Sequence, residues 1–310
     1  MNESSKYSII IPCYNEEGNI PVLVKMLNSK LLTYPHFDII IIDDGSTDKS
    51  FDIIKKLCDD NNHLKYIKFT RNFGHQSAIR AGLSHATGEF VVTMDADLQH
   101  PVAVIESMIK KWEDGFKVVF SIRQDNKRAS FFKRGSSRLF YKIFNFFSET
   151  TLEEGAADFR LLDRTVVETL NGMPEYNPFF RGLIAWLGYK QIGIVYTSDE
   201  RIYGKSKYSF RKMYKLGMNG ITSFSIRPLQ LSIILGFFSS GMAFIYCMYA
   251  VSIYIFTKLT VPGWTSVVAC ISFFSGIQLI SLGIIGEYLG KVFIENKRRP
   301  SYIIDQTNLK

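Results

Sequence analysis

Two stretches near the C-terminus decide what kind of molecule this chain can form. From Pro228 to Phe256, PLQLSIILGFFSSGMAFIYCMYAVSIYIF carries no charged side chain, and from Trp264 to Gly286, WTSVVACISFFSGIQLISLGIIG carries none either. Each exceeds the roughly 20 apolar residues that cross the hydrocarbon core of a bilayer as a helix. The connection TKLTVPG is short and holds a single charge, Lys258, while basic residues crowd before Pro228 and return at Lys291, Lys297, Arg298 and Arg299. By the positive-inside rule both flanks are cytoplasmic and the tight loop is outside. The expected architecture is a cytoplasmic domain on a two-helix transmembrane hairpin in the inner (cytoplasmic) membrane, with both termini inside.

The formal net charge of +8 is concentrated rather than spread: residues 201–230 contain Arg201, Lys205, Lys207, Arg211, Lys212, Lys215 and Arg227 and no acidic residue. Phe210, Met213, Tyr214, Gly217, Ile221 and Phe224 recur at helical spacing, with Arg211, Lys212 and Lys215 displaced from that stripe. A basic amphipathic segment beside a span is expected to lie in the interface against anionic headgroups, which makes lipid rather than nucleic acid the partner of this charge. Four cysteines, Cys13, Cys58, Cys247 and Cys270, form no C-x-x-C pair or zinc spacing and read as reduced packing residues. The polar N-terminus leads directly into a short buried strand at Tyr7, so no cleavable signal is expected. The chain is expected to divide into a cytoplasmic domain over 1–200, interfacial helices over 201–227, spans over 228–256 and 264–286, and a cytoplasmic tail over 287–310.

The first 125 residues alternate strand and helix signals. YSIIIP, FDIIIIDDGS, LKYIKF, EFVVTMD and KVVFSIR are short apolar runs, each followed by polar or turn residues, as buried parallel strands should be. Between them lie helix candidates at Ile20 to Leu27, Ser50 to Asp59, His75 to His85 and Val102 to Asp114. This βαβαβαβαβ order predicts a doubly wound α/β domain with its ligand at the carboxyl ends of the strands. No G-x-G-x-x-G follows the first strand, so the dinucleotide fingerprint is missing. PCYNEE, DDGSTD, RNFGHQSA and DADLQHP follow the first four strands instead, and converge on one crevice.

That crevice is acidic, with Glu16, Asp43, Asp44, Asp95 and Asp97. If the extended conformation persists through Ala96, Asp95 and Asp97 point the same way, and two like charges call for a cation between them. A hard divalent metal carrying a phosphate ester is the natural occupant. In DDGSTD, Ser46 or Thr47 is expected to cap the next helix with Asp48 in its first turn, which leaves Asp43 and Asp44 unexplained. His100 is expected in a surface turn before Pro101.

SIIIPCYNEEGNI, IIIIDDGSTDKS, RNFGHQSAIRAG, MDADLQHP, ADFRLLDR and RIYGKSKYSFRKMYKLGMNGI, in this order and followed by two spans, resemble the family 2 glycosyltransferases of the polyprenyl-phosphate type, such as the bactoprenol glucosyltransferases and, more distantly, the dolichol-phosphate mannose synthases. The resemblance covers nearly the whole chain. It implies a GT-A (nucleotide-diphospho-sugar transferase, Rossmann-like) domain, a bound Mg2+ or Mn2+, and inverting transfer of a hexose, glucose or a related sugar, from a UDP-sugar to undecaprenyl phosphate at the cytoplasmic face. The product would be a polyprenyl-phospho-sugar for cell-envelope glycosylation. Pro12, Tyr14 and Glu16 would then border base and ribose, Asp43 or Asp44 would read the base, and Asp95 with Ala96 would hold the nucleotide. Asp97 and Gln99 match the metal ligands. Arg123 resembles an arginine that reaches a phosphate, and Arg201, Lys205 and Lys207 would face phosphates beside the membrane. Asp158 matches the acidic residue near the acceptor, as a base or as a positioning group, although a helix cap for Phe159 to Arg164 is also open to it. A homotetramer is implied by resemblance alone. Rival readings are a GDP-mannose-using enzyme of the dolichol type and a catalytically silent sugar-nucleotide sensor.

Overall fold

Isoleucine-rich runs build the middle of a single sheet. The computed structural model describes residues 7–31, 36–124, 153, 155–176, 178–197, 220, 222–257 and 263–309. Strands β1 (Tyr7–Cys13), β2 (Phe37–Asp43), β3 (Leu64–Phe69), β4 (Phe90–Thr93) and β5 (Val118–Gln124) alternate with helices α1 (Ile20–Leu31), α2 (Ser50–Asp59), α3 (His75–His85) and α4 (Ala103–Glu113). Every residue of β1 is buried, because helices cover both faces of the sheet and leave no wet face for polar alternation. The chain then continues through β6 (Ala156–Asp163), α5 (Arg164–Asn171), α6 (Phe180–Trp186), β7 (Gln191–Thr197), two long helices α7 (Arg227–Thr257) and α8 (Trp264–Asn296), and β8 (Ile304–Thr307).

The strand order is β7-β5-β6-β4-β1-β2-β3-β8. The pairs of β1 with β2 and β4, of β2 with β3, and of β5 with β7 are parallel. β6 runs antiparallel between β4 and β5, and β8 antiparallel on β3. The sheet is therefore mixed, and β4 and β5, adjacent in the sequence pattern, are separated by a strand that arrives later. Because β2 and β3 lie on one side of β1 and β4 on the other, the order reverses between β1 and β4. Ligands of open α/β sheets bind at such a reversal, outside the carboxyl ends of the strands.

Asp163, not Asp158, caps the helix after β6: its carboxylate accepts from the Thr165 N–H at 3.0 Å and the Thr165 hydroxyl at 2.7 Å. Trp112 Nε1 at 2.7 Å and Lys117 Nζ at 3.0 Å donate to its other oxygen. Asp158 lies within β6 and is left for another task.

The chain divides into two compact units, one carrying all eight strands and the other the two long helices. In the second unit both helices are long and apolar enough to cross a membrane, with mean hydropathy 1.8 over Arg227–Phe256 and 2.1 over Ser266–Asn296. Their apolar side chains face outward, Phe237 79 % and Phe256 85 % exposed, a surface that suits lipid and not water. Tyr288 of α8 donates its hydroxyl to the Ser225 carbonyl at 2.5 Å, which ties the late part of α8 to the residues just before α7.

The tail after α8 returns to the first unit. β8 pairs with β3, Tyr302 stacks on Phe69 at 5.1 Å, and Asp305 meets Lys68 at 3.1 Å. β8 lies within 287–310, the segment expected as a cytoplasmic C-terminal tail.

Candidate active site

At the β1/β4 reversal the loops leaving β1 and β2 lock together. Asn15, with φ of 55°, donates its N–H to Ser46 Oγ at 2.9 Å and accepts the Thr47 N–H at 2.8 Å. Ser46 and Thr47 thus cross-brace the β1 loop rather than cap α2, and it is Asp48 that accepts the Ser50 N–H at 3.0 Å. Glu16 accepts from Asn19 Nδ2 at 2.6 Å, while its own N–H reaches Ser50 Oγ at 2.9 Å. Pro12 is buried in β1, and Tyr14 and Glu16 are half-buried at its exit.

Asp43 and Asp44, one of which is expected to read the base, are both buried and both accept backbone N–H groups. Asp43 is fully buried and accepts the Ser46 N–H at 3.3 Å. Asp44, 3 % exposed, accepts from Phe73 N–H at 2.6 Å and Gly74 N–H at 2.9 Å. Burial pushes both carboxyls up. Asp44 thereby holds the loop after β3 against the loop after β2, while Asp43 braces its own loop through Ser46. Gly45, φ 67°, permits the approach, since a Cβ there would lie 2.4 Å from the Arg71 carbonyl carbon.

β4 ends at Thr93, so Asp95 and Asp97 do not stand on an extended strand. The chain turns instead at Ala96 and Asp97, Leu98 takes φ of 61°, and the Gln99 N–H donates to Asp97 Oδ1 at 3.2 Å. Ala96 is buried, while Asp95, Asp97 and Gln99 are half-buried. Arg123, at the end of β5, donates Nη1 to Gln99 Oε1 at 3.1 Å. His100 is not in a surface turn: it is 6 % exposed, stacks on Phe159 at 4.8 Å, and accepts the Asp95 N–H at Nδ1, 3.2 Å away. It fixes the backbone of Asp95.

Asp158 reaches the same place from β6. Thr93 Oγ1 donates to its carbonyl, and Arg181 forks onto its carboxylate, Nε to Oδ1 at 2.7 Å and Nη2 to Oδ2 at 3.0 Å. His75, first residue of α3, sets its Nε2 3.6 Å from Asp158 Oδ2 and 3.6 Å from Asp95 Oδ1. Burial alone would raise the Asp158 carboxyl, but the Arg181 charge and the hydrogen bonds from His75 and Arg181 hold it well below the usual range. Burial likewise pulls the His75 imidazolium down, yet hydrogen bonding to Asp158 and the charges of both carboxylates lift it to about 9. The site is an alternation of charge: Asp95, His75, Asp158, Arg181.

No sequence motif assigns a role to His75 or Arg181. A signal for the first is its place just after Gly74, at a strand exit where the backbone turns at φ of 102°. Arg181 follows NPFF with nothing local to distinguish it from a solvated arginine. Arg201, Lys205 and Lys207 lie outside the described residues.

Asp97 and Gln99 offer hard oxygen donors on a half-buried turn. Among the described residues no group of three or more His, Cys, Asp or Glu side chains is arranged to hold a metal ion. A donor set this small fits magnesium or manganese completed by diphosphate and water, and does not fit a structural metal cage.

Residues 8–170 match the profile of the family described as glycosyl transferase family 2. An uncharacterized glycosyltransferase of Bacillus subtilis (strain 168) is 40 % identical over 308 residues, 99 % of this chain and 95 % of its own. The bactoprenol glucosyl transferase of Shigella phage SfV is 38 % identical over 306 residues, 98 % of this chain and 100 % of its own. Among solved structures, a mannosyltransferase from Pyrobaculum calidifontis, in complex with GDP-Man and Mn2+, aligns with a TM-score of 0.50 at 16 % identity, covering 92 % of this chain and 87 % of its own. At that identity the likeness is one of fold, and the fold is GT-A-like.

Proposed function

The chain belongs to glycosyl transferase family 2, and from that membership we propose that it transfers glucose from UDP-glucose to a polyprenyl phosphate at the cytoplasmic face of the membrane, with inversion at the anomeric carbon. The observation that carries the reading is the meeting of Asp95, Asp158, His75 and Arg181 beside the turn that holds Asp97. The bactoprenol glucosyl transferase similar over almost the whole chain supports glucose and a polyprenyl phosphate. The two long apolar helices support an acceptor that arrives from the bilayer.

In this reading a phosphate oxygen of the acceptor forms a bond to the anomeric carbon as the bond from that carbon to the diphosphate breaks, and the nucleoside diphosphate leaves with the electron pair. A phosphate monoester has its second pKa near ~6 and is mostly dianionic at neutral pH, so it needs little help from a base. Asp158, paired with Arg181 and held in its charged form, is suited to positioning rather than to proton abstraction. Tyr14, Glu16 and Asp95 border the nucleotide from the β1 and β4 exits, while Asp43 and Asp44 shape the wall behind it. Asp97 and Gln99 would hold magnesium or manganese, which when bound supplies positive charge to the diphosphate. Arg123 stands on Gln99 within reach of the same region. Arg201, Lys205 and Lys207 are assigned to phosphates by resemblance.

The test is a screen of radiolabelled nucleotide sugars against undecaprenyl phosphate with the purified protein. Turnover with UDP-glucose supports the reading, and turnover with GDP-mannose in its place replaces the donor.

A further inference from the structure

His75 stands between two carboxylates, its Nε2 3.6 Å from Asp95 Oδ1 and 3.6 Å from Asp158 Oδ2. It opens α3, and a helix N-terminus carries partial positive charge that disfavours an imidazolium. What keeps it there is held from two sides. Asp44 accepts the N–H groups of Phe73 and Gly74, the two residues immediately before it. Gln76, the residue after it, accepts the Phe180 N–H at 3.2 Å, one residue from Arg181. Arg80, a turn further along α3, donates to the carbonyls of Met173 and Glu175. Thus α3 organises the segment that delivers Arg181, and the loop before α3 is pinned by β2. The charged groups facing the imidazole are Asp95 from the β4 exit, Asp158 from β6, Arg181 from α6 and, behind it, Asp44 from the β2 exit.

Two anions must meet in this crevice if the proposed transfer occurs, a diphosphate and a phosphate dianion. Bare carboxylates at Asp95 and Asp158 would repel both. We propose that His75 is a positioning residue for the transfer: a protonated bridge that fixes Asp95 and Asp158 relative to each other across the crevice and, with Arg181, neutralises them toward the incoming acceptor phosphate. The inference rests on the proposed transferase reading.

The experiment uses the full chain in detergent, wild type and His75→Ala, His75→Gln and His75→Lys, with kcat and KM measured separately for UDP-glucose and undecaprenyl phosphate. His75→Ala is expected to lose about tenfold to a hundredfold in kcat, the scale of a misplaced reacting group, with the KM for UDP-glucose changed by less than roughly threefold. His75→Gln, which keeps a donor but not the charge, should stay impaired. His75→Lys should recover most of the rate. A His75→Ala enzyme within about twofold of the wild-type kcat, or a His75→Lys enzyme no faster than His75→Ala, overturns the proposal.

Nitrogen NMR of the imidazoles gives a readout that needs no turnover. The His75 signal, assigned by its loss in His75→Gln, should titrate near pH 9 in the wild type and at least about one pH unit lower in Asp158→Asn. An identical titration in the two proteins means there is no bridge and overturns the proposal even where a variant folds poorly. If the wild type transfers no sugar while the NMR shift is present, the transferase reading fails and the bridge stands.

Discussion

Arg181 Nε lies 2.7 Å from Asp158 Oδ1 and its Nη2 3.0 Å from Oδ2, a two-point clamp between α6 and β6. Both partners are largely sheltered, with side chains 25 % and 14 % exposed. A carboxylate held this way is a weak base and a well-fixed anion. Asp158→Asn should lower kcat by about a hundredfold while the KM for the nucleotide sugar changes little. The acid limb of the rate profile should stay where it is in the wild type, because it does not report Asp158. Arg181→Lys should rescue poorly, since an ammonium cannot reproduce the two-donor fork. Steady-state kinetics across pH check all three statements.

The pH dependence of stability has a definite sign. The His75 imidazolium is lifted from 6.5 to about 9 in the folded protein. Its contribution is therefore complete below the unfolded value, erodes as pH rises between the two, and is gone above about 9. Asp158 is depressed below 3.8, so its contribution is present above that value and is lost as pH falls further. The side chain of His75 is 41 % exposed, and solvent screening keeps the effect modest. Thermal melts of wild type and His75→Gln should differ most near pH 6 and converge near pH 9.5, as the linkage requires. A gap that widens with pH would contradict the assignment.

The C-terminal strand offers a test at a distance from the site. β8 covers the edge of β3, and Thr307 Oγ1 donates to the Tyr66 carbonyl at 2.8 Å while Asn308 Oδ1 accepts the Tyr66 N–H at 2.7 Å. The loop leaving β3 contains Phe73 and Gly74, which Asp44 holds, and leads into His75. Deleting residues 299–310 removes a handful of hydrogen bonds worth about 1 kcal/mol each, so Tm should fall by on the order of 10 °C. Transfer activity should fall with it, and the two long helices should still partition into membranes. Scanning fluorimetry and a membrane flotation assay separate the two effects.

Much of the fold is legible in the sequence. Strands β1 to β5 and helices α1 to α4 announce themselves because an isoleucine run bounded by turn residues has few other uses. β6 was legible only as a motif, since periodicity says nothing about which strand inserts between which. β8 is four residues of mostly polar sequence, and pairing with an edge strand is a tertiary fact. Within the site, Asp95 and Asp97 stand out because paired carboxylates at a strand exit demand a reason, whereas Asp158 stands out only through the family resemblance of ADFRLLDR. What the sequence does not reveal about Asp44 is its hold on the Phe73 and Gly74 N–H groups, a contact between two loops distant in sequence. His100 is hidden by its apolar partners Phe159 and Tyr196, both distant in sequence.

The topology of the apolar pair is a separate expectation. Basic residues on both flanks and a short connection predict that reporter tags at Lys310 and beside Lys258 lie on opposite sides of the membrane, the first inside and the second outside. Accessibility of the two tags to an impermeant reagent in intact cells reads this directly. Protection of both would mean that the helices do not span.

The most direct test of the central claim is a partition assay. Purified protein is incubated with UDP-glucose radiolabelled in the sugar, undecaprenyl phosphate and magnesium or manganese, and label in the organic phase is counted beside the same reaction with Asp97→Asn. The account predicts lipid-linked label that depends on the polyprenyl phosphate, disappears in chelator, and falls by about a hundredfold or more in the variant as charge compensation at the diphosphate is lost. Label that stays in the aqueous phase under every metal condition, or an Asp97→Asn enzyme as active as the wild type in chelator, would contradict it.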